Sequence, residues 1–186
     1  MSVQIAQRPF TVTEYYRMAE AGILSEDDRL ELIEGRIITM APIGSRHAAC
    51  VKRLTSLFSN QIGDVAILSV QDPIQLDEYS EPLPDLALLR PRDDFYAQRH
   101  PIPADVLLLV EVSDTSLEYD RDVKVPSYVG AGIPEVWLVN LPENLIEVYT
   151  RPVSGVYQDI SQLRPGEVIA VSSIPEIRID VNSILG

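Results

Sequence analysis

The sequence predicts an α/β domain, with helices flanking a central mixed sheet. Three observations carry this. Helical and strand-like segments alternate in the order helix, strands, helix, strands, a pattern that packs as two or three layers. One run, Val106–Val112, is apolar except at Glu111, as expected of a strand covered on both faces. The chain of 186 residues, 46% apolar and 23% charged, has the composition and length of one globular domain. The domain is taken as residues 1–186, with a core over about 25–150 and an extension of short strands over 151–186.

The elements follow in order. Thr11 or Thr13 can cap a first short helix that ends at Gly22, a natural residue to follow a helix. The segment Arg29–Met40 holds two short runs around Glu34-Gly35, the pattern of a β-hairpin with glycine at positive φ. Ser45 is placed to cap a helix of about 17 residues ending at Gly63, in which Ala48, Val51, Leu54, Leu57 and Phe58 form one apolar stripe. Strand-like runs follow at 65–70, 85–90 and 106–112. Segment 91–105 has no periodicity and reads as a surface loop.

A second helix covers about 122–131 and stops at Gly132-Ile133-Pro134. Pro126 fits only the first turn of a helix, which places the start near Asp120–Asp122 and Lys124 in that first turn. Runs at 135–140 and 145–150 read as paired strands around Pro142-Glu143-Asn144. Two more short strands are expected near 168–171 and 176–180.

Charge and cysteine usage narrow the function. Fifteen Lys and Arg against 28 Asp and Glu give a net charge of −13. The first 63 residues are balanced, so the whole excess falls in the remainder of the chain. Such a chain is poorly suited to tracking long stretches of nucleic-acid backbone, which requires many cations. A local site that holds cations is compatible with it. The one cysteine, Cys50, excludes an internal disulfide and a multi-thiolate zinc centre. With no apolar run near 18 residues and no basic–apolar leader at the N-terminus, neither a membrane span nor a secretory signal is expected. A cytoplasmic setting follows as the simplest expectation.

Three charged residues stand where charge is costly. Glu111 lies near the end of the most apolar strand, where an ionised carboxylate needs a cation or hydrogen-bonding partners. Asp85 follows Pro82-Leu83-Pro84 and begins another apolar strand. Lys124 is one of only two lysines, on the helix after the Glu111 strand. Taken singly, each has a plain reading: a salt-bridged strand end, a turn residue, a solvent-facing lysine. Taken together, two carboxylates on neighbouring strands offer hard oxygen ligands for Mg²⁺ or Mn²⁺, and a lysine beside them can stabilise charge on a phosphate. This is the set that metal-assisted phosphodiester hydrolysis requires.

These residues resemble a known family. Pro84-Asp85, Glu111 and Lys124 are similar to the pattern of the PD-(D/E)XK nuclease superfamily. More closely, the chain resembles the Uma-type restriction-endonuclease-like family. The matching stretches are Glu31–Gly35, Met40-Ala41-Pro42 with His47, Pro84–Leu86, Val110–Ser113, Tyr119–Lys124, Tyr128, Gly132, Pro134-Glu135 and Trp137–Val139. They span about residues 10–150.

The resemblance implies a restriction-endonuclease-like αβββαβ core, preceded by an N-terminal helix and a β-hairpin. It implies a Mg²⁺- or Mn²⁺-dependent endonuclease of DNA, with Asp85 and Glu111 as metal ligands and Lys124 as the catalytic lysine. In the common superfamily pattern the lysine lies two residues after the acidic residue. Ser113 stands there in this chain, so Lys124 serves from the helix. Glu31, His47 and Ser113 are auxiliary candidates, and Arg46, Lys52 and Arg53 could contact a DNA backbone. A homodimer suits duplex cleavage by two-fold pairs. The competing expectation is a catalytically inactive binding or regulatory module in which Glu111 and Lys124 form a structural ion pair.

His47 and Cys50 lie three apart on one helix, but two histidines in the whole chain are too few for a zinc site. No G-x-S-x-G turn and no glycine-rich phosphate loop is present.

Overall fold

The computed structural model describes residues 7–25 and 27–186. Residues 1–6, part of the N-terminal stretch read above for a leader, lie outside the described residues. Helix α1 spans Val12–Glu20, and its start is fixed by Thr11. The Thr11 hydroxyl accepts from Glu14 N while the Glu14 carboxylate accepts from Thr11 N, a reciprocal cap that satisfies two otherwise orphaned donors. Gly22 follows at φ 70°.

Strands β1 (Leu30–Ile33) and β2 (Arg36–Thr39) form the expected hairpin. Its turn, Glu34-Gly35, has φ values of 49° and 71°, the doubly positive turn that matches the twist of paired strands. Backbone contacts from Gly35 to Phe10 and Tyr79, and from Leu32 to Glu81, lash this hairpin to the body of the protein.

Helix α2 spans Ser45–Ser59. Its cap differs from expectation: Gly44 holds the N-cap position without a side-chain bond, and Ser45 is already inside the helix. Sequence spacing cannot separate two adjacent small residues at a helix start. The helix ends at the cap residue Asn60, short of Gly63.

Strands β3 (Ile67–Val70), β4 (Leu86–Leu89), β5 (Val106–Ser113), β6 (Glu135–Asn140), β7 (Leu145–Val153) and β8 (Val156–Leu163) form one sheet in that spatial order. All neighbours are antiparallel except β5 and β6, which run parallel. A parallel pair needs a crossover. Here the crossover is a helical stretch in three pieces: α3 (Leu117–Tyr119), a π turn (Asp120–Lys124) and α4 (Val125–Gly130). Strands β9 (Val168–Val171) and β10 (Ile174–Asp180) form a second hairpin, and α5 (Val181–Leu185) closes the chain.

The crossover corrects one expectation. Helical structure begins at Leu117, well before Asp120, although Pro126 lacks an N–H. The π turn reconciles the two. Val125 N bonds to Asp120 O, so the repeat widens by one residue immediately before the proline, and Pro126 begins a fresh α-helical segment rather than interrupting one.

The sheet is covered on both faces. One core packs α2, α5 and the β9–β10 hairpin against Leu88, Leu108, Val110, Trp137 and Val139. The other packs α4 and the segment around Ile74 against Ala87, Leu109, Val136 and Leu138. All eight residues of β5 are buried. Alternation along β5 puts Leu108 and Val110 on the α2 side and Leu109 and Glu111 on the side of the crossover helices.

Candidate active site

Four carboxylates and one lysine converge where β5, the start of β4, the β1–β2 hairpin and the π turn meet. They are Asp85, Glu111, Glu31, Asp120 and Lys124, each no more than 8% exposed. They line a cavity of about 390 Å³ whose rim is formed by α2 and by the loop after β5.

Lys124 projects from the π turn between two strands. Its Nζ lies 2.8 Å from Glu111 Oε1 and 3.4 Å from Glu31 Oε2. Burial opposes a charged ammonium. Glu111, Glu31 and Asp120 together outweigh that cost and raise its pKa above the ordinary lysine value, so Lys124 is a cation.

Glu111 receives a second bond on the same Oε1, donated by the Tyr128 hydroxyl. Burial pushes its carboxyl up to about 8, against the pull of Lys124, and Asp120 and Asp85 push the same way. Its Oε2 takes no hydrogen bond from a described residue and is the oxygen left to the cavity. Glu31 is fixed by the Leu83 amide at 3.2 Å and the Tyr119 hydroxyl at 3.1 Å.

Asp85 is held from three directions. The Val112 amide and His47 Nε2 both lie 2.9 Å from Oδ2, and Gln71 Nε2 donates to Oδ1 at 3.1 Å. Burial alone would raise its carboxyl. His47, the Val112 amide and Lys124 outweigh burial and hold it below the usual aspartate value. The His47 ring is in turn pushed up, chiefly by its bond to Asp85. Its Nδ1 is buried without a partner among the described residues. Gln71 sits at φ 57°, a backbone state that non-glycine residues seldom adopt.

Asp120 accepts from the hydroxyls of Ser113 and Ser116 at 2.7 and 2.6 Å. Burial raises its pKa, partly offset by Lys124 and the two serines.

The structure therefore brings together Asp85, Glu111, Lys124, Glu31 and His47, with Ser113 one layer behind, holding Asp120. The π turn carries Lys124 back over the end of β5, opposite the position two residues after Glu111 that Ser113 occupies. The basic residues of α2 diverge. Arg46 bonds to Asp114 and to Leu141 O, Arg53 bonds to the carbonyls of Ile184 and Leu185, and Lys52 is exposed. Cys50 is buried and its thiol is pushed up to about 11 by burial.

Asp120, Tyr128 and Gln71 were not foreseen as site residues. Asp120 and Tyr128 lie within the matching stretches quoted above. Their signal was spacing: Asp120, Lys124 and Tyr128 recur every four residues, so one helical face carries all three. Gln71 carries no signal in the sequence, because a reversed backbone after a strand brings it to Asp85.

Among the described residues, no three His, Cys, Asp or Glu side chains stand close enough together to hold a metal ion as they are. The donor set nevertheless fits Mg²⁺ or Mn²⁺. Asp85 and Glu111 offer hard oxygens to one cavity, and Mg²⁺ characteristically uses one or two carboxylates and keeps several waters.

A sheet with one parallel pair, a crossover helix bearing a lysine, and buried acids at the strand ends defines a restriction-endonuclease-like protein. The sequence model of the Uma2 family, described as "Putative restriction endonuclease", matches residues 12–182, and the chain belongs to that family. The fold is also that of a crystal structure from Anabaena variabilis, titled a "putative nuclease" of the DUF820 family. The two share 18% identity with a TM-score of 0.74, covering 95% of this chain and 98% of the other. No curated protein matches the chain. No helix among the described residues is long and apolar enough to cross a membrane.

Proposed function

We propose that the protein is a metal-dependent endonuclease that hydrolyses phosphodiester bonds of DNA. The observation that carries this reading is the excess of buried acid around one cavity: four buried carboxylates against one buried cation, Lys124, with the part-buried His47 and Arg29 also on its wall. Such an imbalance is costly unless a further cation enters or the acids take up protons.

Asp85 and Glu111 would hold Mg²⁺ or Mn²⁺ through their oxygens. The bound ion supplies polarisation of the phosphate and acidification of bound water. His47, Gln71 and the Val112 amide orient Asp85. Tyr128 orients Glu111. Lys124, a buried cation at the same cavity wall, stabilises negative charge on the phosphate and aligns the attacking water. Glu31, held by the Tyr119 hydroxyl, gives Lys124 a second carboxylate partner beside Glu111.

The experiment is cleavage of plasmid and linear DNA with Mg²⁺ or Mn²⁺ by the wild type and by Asp85→Ala. Cleavage by the wild type and its loss in the variant are expected. Undiminished cleavage by the variant would remove Asp85 from the mechanism.

A second reading, a non-catalytic module with the same fold, is favoured by one observation: Lys124 is already paired within the protein, its single charge shared between Glu111 and Glu31. On that reading divalent metal leaves the melting temperature unchanged.

A further inference from the structure

A second cavity, of about 500 Å³, opens on the outer side of α2 next to the end of β3. It shares His47 and Ile43 with the acidic cavity. Its other walls are chiefly apolar: Ala48, Val51 and Val70. Lys52, exposed, stands at its rim, and Gln71 forms part of its wall.

The two cavities are chemically complementary halves. One gathers acids suited to a cation and a phosphate. The other is an apolar chamber with one cation at its edge and an amide whose side chain can both donate and accept. They are joined through the residues that fix Asp85, since His47 and Gln71 each bond to its carboxylate and each line the second cavity. A ligand with an anionic ester next to a flat, largely apolar group fits this pair, which is the chemistry of a nucleotide unit.

Charge selects the form of that ligand. At −13, with Arg46 and Arg53 engaged by the protein itself, few cations remain near the cavities to neutralise a long duplex backbone. Burial of a base against an apolar wall is an affinity source that needs no such cations. A base reaches an apolar chamber only from a single strand or after leaving its stack.

We propose that the cavity beside α2 is a base-binding subsite, and that the substrate is engaged as a single-stranded DNA segment with one unstacked base seated against Ala48 and Val51. The proposal rests on the nuclease reading above and adds its substrate form. His47 and Gln71 then connect base occupancy to the positioning of Asp85.

The test compares three probes in the presence of Ca²⁺ at one fixed salt concentration: oligothymidylate of twelve units, a twelve-unit strand of abasic sugar–phosphate with the same charge, and a duplex of the thymidylate with its complement. Binding is read by fluorescence anisotropy for the wild type, Ala48→Leu and Ser56→Trp, whose side chains fill the chamber; melting curves verify that each variant is folded. Ser56 is an exposed wall residue.

The wild type is expected to bind the thymidylate about tenfold more tightly than either other probe, about 1.4 kcal/mol. Both variants should lose that preference and keep their affinity for the abasic strand. Equal binding of thymidylate and abasic strand, equal binding of the duplex, or a preference untouched in both variants would overturn the subsite. Absence of binding to all three probes, with Mn²⁺ still bound by the wild type, would overturn the subsite while sparing the metal site. Absence of both would remove the nuclease reading as well.

Discussion

The ammonium of Lys124 stands between two carboxylates, 2.8 Å from Glu111 and 3.4 Å from Glu31. All three groups are almost wholly buried. The lysine is thus shared between the strand that supplies Glu111 and the hairpin that supplies Glu31, and it ties the hairpin to the sheet. Removing one partner of a buried ion pair leaves an uncompensated charge and costs about 3–5 kcal/mol. Lys124→Met should therefore lower stability by about 3 kcal/mol in urea unfolding. Adding Glu111→Gln to it should recover a substantial part, because the stranded acid is then gone. A double variant no more stable than the single one would contradict the shared-cation geometry.

Tyr128 donates to the same Glu111 oxygen that Lys124 contacts. Tyr128→Phe keeps the ring in its fully buried place and removes only that bond. The expected loss is about 1–2 kcal/mol, measured by the urea midpoint. A neutral substitution would mean that Lys124 alone satisfies the carboxylate.

The hairpin that carries Glu31 depends on Gly35. Its φ is 71°, and a Cβ there would lie 2.3 Å from Pro9 Cβ and 2.7 Å from Pro9 Cα. Gly35→Ala is therefore strained in its backbone and blocked by a neighbouring chain segment. The variant should be destabilised by about 2 kcal/mol or more, and the disturbance should reach the site through Glu31. Melting temperature reports the first effect. Mn²⁺ affinity reports the second, and an unaltered melting temperature would show that the segment at Pro9 yields freely.

Away from the site, Arg121, Tyr149 and Asn140 all donate to Glu147. Burial pushes the Glu147 carboxyl up, but these bonds outweigh it and hold the group below the ordinary value of 4.5. A carboxyl with a depressed folded pKa contributes stability that is complete above its unfolded pKa and disappears as pH falls through the folded one. Wild-type stability should thus decline as pH drops below about 4.5. Glu147→Gln should reduce that decline, as read from urea midpoints at a series of pH values. Parallel pH profiles would show that Glu147 takes no part in it.

Much of this arrangement was legible in the sequence because buried charge is conspicuous. Glu111 interrupts an otherwise apolar strand, and Asp85 follows two closely spaced prolines. Both reach the cavity where the strand pattern puts them. Lys124 was legible as a helix residue but not as a π-turn residue. The rule that proline begins a helix is sound for Pro126, yet it conceals a widened turn just upstream that belongs to the same helical stretch. Asp120 went unnoticed since an aspartate near a helix start has a ready local explanation as a cap. Gln71 was illegible because its place depends on a positive φ at a non-glycine residue, which no residue type announces. The neighbouring exposures of Arg46, Lys52 and Arg53 on α2 were equally indistinct. Only the partners Asp114, Leu141, Ile184 and Leu185, distant in sequence, separate them.

The account turns on whether Asp85 and Glu111 hold a divalent ion in the cavity they share with Lys124. The most direct measurement is Mn²⁺ titration by calorimetry of the wild type, Asp85→Ala and Glu111→Gln, with melting temperatures taken alongside. The account predicts saturable binding and a raised melting temperature in the wild type, about 2.7 kcal/mol at a hundredfold excess over Kd, and loss of both in each variant. Identical metal-insensitive curves for all three would contradict it and leave Lys124 and Glu111 as a structural pair.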